Sequence, residues 1–389
     1  MSPEPQRRVL VLFGNVPLYG QERATIDDME ALRSRGWEVL FITHPEWGHL
    51  RIQPELDARG FEWKTATFAQ RFDRGIGLRG WWRRLRAIAR GSLELLRIAR
   101  EYRPSVIHVG NLTWFVDFLP VLLLTRTPMV YRLVDAPSSH RREFRLFWRY
   151  VVGPQIEIFI CISGFVRDRL QALASVKGKT CVIYSRPPKR LGPMPAGGAR
   201  SAQGGSLRFG YVGQINEEKG VGLIIDTALR LCIESESVEF DLAGDLEASS
   251  HFAATQAERV RAAGLESRIR FLGYVGDLKG FYNGVDVHLC PSIREEALGL
   301  TVMEAKEMGK PSIVFLSGGL PEMVEDGREG FVCKGMDAIA LEQACRVYLM
   351  RRELVAEHGA AARASLDRLG VSEFENRLAE AYEKAARRT

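Results

Sequence analysis

Residues 186–206 read RPPKRLGPMPAGGARSAQGGS, and they constrain the chain more than any other stretch. Proline and glycine crowd it and almost no apolar periodicity remains, so it has little to bury and reads as a linker. A chain of 389 residues is also too long for one compact core. On both sides of the break the same grammar runs: a short apolar strand, a turn, a helix, another strand. Continuous rather than alternating apolar strands belong to parallel sheets covered on both faces. The expected fold is therefore α/β, with two doubly wound Rossmann-like domains whose strand C-termini face a cleft. The expected boundaries are 1–188 for the first domain, 189–206 for the linker and 207–368 for the second domain. Residues 369–389 form a last helix, free to cross back to the first domain.

In the first half, Arg8 to Phe13 (RVLVLF) opens the sheet and a turn carrying Gly14 and Gly20 follows. A helix from about Gln21 to Ser34 and a strand at Trp37 to Thr43 complete one βαβ unit. The glycine spacing is not G-x-G-x-x-G, so no dinucleotide fingerprint is present. Gly14 has two readings: close approach of a ligand to the backbone, or a plain tight turn. Farther on, a helix within Arg71 to Arg103 places Arg79, Arg83, Arg86, Arg90 and Arg97 within an arc of roughly 60°. Trp81, Leu85, Ile88, Leu95 and Ala99 fall on the other side and are expected to dock on the domain. Trp82 stands beside Trp81 at the start. Ser163 is expected to cap a helix from Phe165.

Charge is split between the halves. Residues 1–205 carry 32 Lys and Arg against 18 Asp and Glu, whereas residues 206–389 carry 22 against 30. A basic half faces something anionic. The arginine ridge with its two tryptophans favours an anionic membrane surface over a merely solvated face. Nucleic acid is the weakest candidate, since no reading module or basic–aromatic strand platform is visible. No apolar run reaches the roughly 18 residues of a spanning helix, and no apolar leader with a small-residue cleavage site opens the chain. The expected location is cytoplasmic, peripheral at the inner membrane face. The six cysteines form no C-x-x-C pair and sit mostly in apolar runs, which fits buried thiols in a reducing compartment rather than zinc ligands.

In the second half, the stretch from Pro291 to Gly319 reads PSIREEALGLTVMEAKEMGKPSIVFLSGG. It is expected to run as loop, helix from about Leu300, and buried strand. Glu296 then projects from the loop and Glu304 from the helix one turn in. A helix N-terminus offers unpaired N–H groups to an anion. A carboxylate one turn inside is suited to accept from hydroxyls, and anion plus polyol is the chemistry of a nucleotide-sugar. Two glutamates at this spacing also arise by chance on ordinary amphipathic helices.

The wider pattern carries more. YVGQINEEKGVGLIIDTA, DLAGD, IRFLGYVGDLKGFYNGVDVHLCPS, EALGLTVMEAKEMGKP and GGLPEMVEDGREGFV occur in order through 207–333. Together they resemble the retaining, nucleotide-sugar-dependent glycosyltransferases of the GT-B fold, glycosyltransferase family 4. The first half resembles the family more loosely, through YGQERATIDDMEALRSRGWEVLFIT, PSVIHV and CISGFVRDRL. The resemblance implies that Glu304 binds the ribose hydroxyls and that Glu296 contacts the donor sugar. It also implies that Gly299 and Leu300 offer N–H groups to the diphosphate, while Lys219 neutralises the departing diphosphate. Gly213 and Gln214 would border the donor. No metal or other cofactor is implied, and no D-x-D-like cluster is present.

Two positions depart from the family pattern. Gln214 stands where an arginine is usual, so the missing charge is expected from elsewhere, from Arg23 or Arg132. Val134 stands where a histidine is usual, while Asp135 remains. Asp135, His108 and Arg132 are the acceptor-side candidates, with His108 also readable as a satisfied structural histidine. The expected function is retaining transfer of a sugar from a nucleoside diphosphate-sugar to a lipid-linked, polysaccharide or other anionic acceptor. The rivals are an epimerase or hydrolase on the same fold and a non-catalytic, membrane-associated sugar-nucleotide binder. Base, sugar, acceptor and oligomeric state are left open.

Overall fold

The computed structural model describes residues 7–13, 20–45, 52–67, 77–137, 142–186, 205–247 and 250–387. Gly14 and nearly all of the linker lie outside these residues. The chain divides into two units. One comprises 1–162, 166–183 and 373–389, and the other comprises 163–165 and 184–372.

The first unit begins β1 (Arg8–Leu12), α1 (Gly20–Ser34), β2 (Glu38–Thr43), α2 (Ile52–Ala58), β3 (Glu62–Thr65). It continues α3 (Leu78–Tyr102), β4 (Val106–Val109), α4 (Leu112–Thr125), β5 (Met129–Leu133), α5 (Arg142–Phe147). A π-helical turn at Trp148–Val152 leads into α6 (Gly153–Gln155), β6 (Ile156–Cys161), α7 (Gly164–Leu173) and β7 (Thr180–Val182). The seven strands form one sheet in the order β3-β2-β1-β4-β5-β6-β7, and every pair is parallel. Their apolar runs are buried throughout β1, β4 and β5, as a sheet covered on both faces requires.

The second unit runs β8 (Leu207–Val212), α8 (Val221–Glu234), β9 (Val238–Ala243), α9 (Ser250–Ala262), β10 (Ile269–Gly273), α10 (Leu278–Gly284). Then come β11 (Val287–Cys290), α11 (Leu300–Glu307), β12 (Ser312–Phe315), α12 (Leu320–Met323), β13 (Gly330–Cys333), α13 (Ala338–Met350) and α14 (Glu353–Arg368). Its six strands, also all parallel, follow the order β10-β9-β8-β11-β12-β13. The last helix, α15 (Phe374–Ala386), belongs to the first unit. Phe374, Leu378 and Tyr382 are buried in that unit's core, and the Tyr382 ring meets Trp37 edge-on at 5.7 Å.

Two expectations are corrected in the first unit. Arg132 is a core residue: its guanidinium lies 2.6 Å from the Asp28 carboxylate, with side chains 1% and 4% exposed. It also lies over the Phe374 ring, so it is not the solvent-facing cation that was to compensate for Gln214 or to meet an acceptor. The second correction concerns α3. Leu95 and Ala99 are buried as expected, but Trp81 and Leu85 are 49% and 51% exposed. The docked face instead centres on Arg84, Gly91, Leu95 and Ile98, a roll of about 65° from the expected face. Two local facts explain it. Arg84 pairs with buried Asp117 of α4 at 2.9 Å, which offsets part of the penalty for turning a charge inward. Gly91 brings α3 so close to the preceding chain that a Cβ there would lie 1.8 Å from the Thr67 carbonyl oxygen.

Candidate active site

In an open parallel sheet, ligands sit beyond the strand C-termini where the strand order reverses. In the second unit that point lies between β8 and β11, which are neighbours in the sheet although five elements separate them in the chain. The loop after β8 carries Gly213, Gln214 and Lys219; the loop after β11 carries Glu296. The topology therefore joins residues 77 positions apart, and the Lys219 ammonium donates to Glu296 Oε1. Both side chains remain partly accessible, at 30% and 18%. The two loops are stapled by backbone: the Glu218 carbonyl accepts from Ile293 N–H at 2.9 Å and from Arg294 N–H at 3.1 Å. Within the first loop, Asn216 accepts from Lys219 N–H at 3.0 Å, and the Tyr211 hydroxyl donates to the Gln214 carbonyl at 2.7 Å. The Gln214 side chain is exposed.

Helix α11 begins at Leu300, as expected, and Gly299 precedes it with φ of +88°. Glu304 stands one turn in and is 5% exposed. The Tyr282 hydroxyl of α10 lies 3.0 Å from Glu304 Oε2 and 3.1 Å from the Thr301 carbonyl, so the carboxylate is oriented before any ligand arrives. A third loop closes on the same place. Gly319 N–H donates to the Glu296 carbonyl at 2.7 Å. Gly318, at φ +58°, passes so close that a Cβ would stand 2.2 Å from that carbonyl oxygen, an approach only glycine permits.

On its inner side α11 is anchored by charge. The Lys306 ammonium, 1% exposed, reaches Glu329 Oε2 at 2.6 Å and Ser365 Oγ of α14 at 2.7 Å. Burial holds Lys306 below its ordinary range, with the Glu329 carboxylate opposing that shift. Cys290, beneath the site, is pushed up to about 12 by burial, with Glu296 adding to the effect; it is a neutral wall residue.

The start of α7 also belongs to this unit. The Glu322 carboxylate accepts from Gly164 N–H at 2.7 Å and Phe165 N–H at 2.6 Å, and from the Tyr184 hydroxyl at 2.9 Å. The Ser163 hydroxyl donates to the Ala297 carbonyl. The carboxylate that meets those first N–H groups thus comes from Glu322, 158 residues away.

In the first unit, Asp135 is exposed just beyond β5. His108, on β4, is fully buried; its Nδ1 meets the Tyr382 hydroxyl and the two rings stack at 6.2 Å. Burial, with a contribution from Arg132, lowers its pKa to about 3, so the ring is neutral. Among the described residues no three His, Cys, Asp or Glu side chains group as a metal site would require. No described helix is long and apolar enough to cross a membrane.

Two doubly wound parallel sheets, one with a cation–carboxylate pair at its switch point beside a helix N-terminus, define the class: a GT-B glycosyltransferase. The family model for Glycosyltransferase Family 4 matches residues 19–185, and that for Glycosyl transferases group 1 matches 206–350. The chain belongs to the family 4-type glycosyltransferases. It is 28% identical over 281 residues to the lipopolysaccharide core biosynthesis mannosyltransferase LpsB of Rhizobium meliloti, covering 70% of this chain and 78% of that protein. To LpcC of Rhizobium leguminosarum bv. viciae, named for the same kind of activity, it is 30% identical over 151 residues. That match covers 39% of this chain and only 43% of LpcC. Among solved structures, a glycosyltransferase from Rickettsia africae superposes with TM-score 0.81 at 16% identity, covering 99% of this chain and 100% of that one. HepE of Anabaena, in complex with UDP, superposes with TM-score 0.80 at 20% identity, covering 97% and 99%.

Proposed function

We propose that this chain transfers a sugar, with retention of anomeric configuration, from a nucleoside diphosphate-sugar to a saccharide or lipid-linked saccharide acceptor. The observation that carries the reading is the Lys219–Glu296 pair at the switch point, with buried Glu304 on the helix beside it. Glu304, held by Tyr282, accepts from the ribose hydroxyls. The diphosphate lies at the start of α11, against the Gly299 and Leu300 N–H groups, where it displaces Glu296 as the partner of Lys219. The bond from C1 to the phosphate oxygen breaks with its electron pair passing to the diphosphate. Lys219 stabilises that charge most where water is excluded. The acceptor oxygen attacks C1 from the same face, and its proton passes to the departing phosphate. Glu296, freed from Lys219, accepts from the donor sugar's hydroxyls and steadies positive charge at C1. Gln214 contributes neutral hydrogen bonds. The lipopolysaccharide-core relatives support a saccharide acceptor and a hexosyl donor.

Release of UDP, GDP or ADP from hexose donors, with and without membrane extract, tests the reading. Glu296→Gln should lower acceptor-dependent release at least 100-fold while nucleotide binding by calorimetry stays within a few-fold. Unchanged turnover would sink it. Release at full rate without any acceptor would point instead to a hydrolase.

A further inference from the structure

The roll of α3 leaves more on the surface than a charged ridge. Going round the helix from the docked face, Trp81, Leu85, Trp82 and Leu93 come first, at 49%, 51%, 67% and 70% exposure. The arginine arc follows directly. Apolar and cationic stripes therefore lie side by side, both turned away from the domain. The arginines are not equivalent. Arg90 and Arg97 are each answered one turn on, by Glu94 at 2.8 Å and by Glu101 at 2.9 Å. Among the described residues, Arg79, Arg83 and Arg86 have no carboxylate within ion-pair distance, and they flank the two tryptophans. No acidic residue occurs in the first turn of α3. Three cations at the positive end of a helix dipole repel both it and one another, and nothing among the described residues offsets that repulsion.

We propose that the first half of α3 is a docking surface for an anionic lipid bilayer, lying in the headgroup plane. Trp81, Trp82 and Leu85 enter the boundary between headgroups and acyl chains, where indole rings partition well. Arg79, Arg83 and Arg86 meet the lipid phosphates. A bilayer offers an apolar layer beside an anionic one, as the two stripes require, and it offsets the repulsion at the helix start. A soluble polyanion would satisfy the arginines but leave the tryptophans in water.

The test uses the full chain and sedimentation with vesicles of phosphatidylcholine, either alone or with one third phosphatidylglycerol. Binding to the anionic vesicles is expected, weakening steeply as salt rises. Each arginine near the surface is worth roughly fivefold in affinity, so Arg79→Ala, Arg83→Ala and Arg86→Ala together should weaken binding on the order of 100-fold. Arg90→Ala with Arg97→Ala should change it by only a few-fold. Bromine-labelled lipids should quench wild-type fluorescence, and Trp81→Ser with Trp82→Ser should remove that quenching. Equal binding to both vesicle types, equal effects of the two arginine sets, or salt-sensitive binding without quenching would overturn the proposal; the last would indicate a soluble polyanion. Donor affinity measured by calorimetry is expected to be the same in every variant. It therefore reports on the donor site separately from the docking surface.

Discussion

Removing the charge of Glu329 should harm this protein more than removing the lysine it pairs with. The asymmetry follows from what each partner retains. Without Lys306, Glu329 still accepts from Arg368 at 2.9 Å and from Glu325 N–H at 3.0 Å. Without the Glu329 carboxylate, Lys306 keeps, among the described residues, the Ser365 hydroxyl as its hydrogen-bond partner, and an uncompensated buried ammonium is among the most costly groups in a core. Lys306→Met therefore loses about 1.5–3 kcal/mol, the worth of one charge-assisted hydrogen bond. Glu329→Gln loses about 3–5 kcal/mol, a fall in melting temperature of roughly 4–6 °C for a protein of this size. The double variant should recover part of the loss, since the stranded charge is gone. Urea unfolding at two pH values checks the cause. Lys306 is already held below its ordinary 10.5 by burial, so below that value the unfolded chain binds the proton more tightly and stability rises with pH. Taking away the carboxylate extends that window downward. The gap between wild type and Glu329→Gln should accordingly narrow between pH 7 and pH 9.5. Equal losses from the two single variants, or a gap constant with pH, would refute the reasoning.

Alanine at Gly91 should destabilise by 2 kcal/mol or more, on the order of an overpacked core site, although alanine is the better helix former by about 1 kcal/mol; a rise in melting temperature would contradict the close approach to Thr67. His108 and His288 are buried with pKa lowered to about 3. The unfolded chain takes up their protons below about 6.5, so stability should fall from that point toward pH 3, by about 2 kcal/mol for each at pH 5. Urea midpoints at pH 7 and pH 5, compared with His288→Asn, measure one share of that loss. Tyr282→Phe should raise the donor KM severalfold with kcat within twofold, because the hydroxyl orients Glu304 and touches no reacting atom; steady-state kinetics with a fall confined to kcat would contradict this.

Much of the architecture was legible locally. β4 and β13 run as read, α11 begins at Leu300, and the continuous apolar strands imply parallel sheets because a strand buried on both faces has no polar side to show. The short helices α2, α5 and α12 were not read, since four to seven residues hold too little periodicity to separate from loop. The site divides along the same line. The type and spacing of Glu296, Gly299 and Glu304 stand within one loop-helix unit and are visible as a pattern. Tyr282 gave no signal, being one aromatic among many until α10 packs against α11. The same holds for Glu322, whose N–H partners lie 157 and 158 residues away.

What the sequence by itself determined is where most strands and the longer helices fall, because periodicity and turn chemistry act over a few residues. What only the tertiary structure decided is which face each element buries and which distant loops become neighbours. Arg84 could turn inward only because Asp117 waits on α4, and that choice left Trp81 and Leu85 outside. Lys219 meets Glu296 only because the sheet reverses its strand order between β8 and β11. Arg132 is a core ion pair only because Asp28 of α1 lies against β5. Burial and pairing are properties of the assembled neighbourhood, and a side chain's charge or polarity does not declare them in advance.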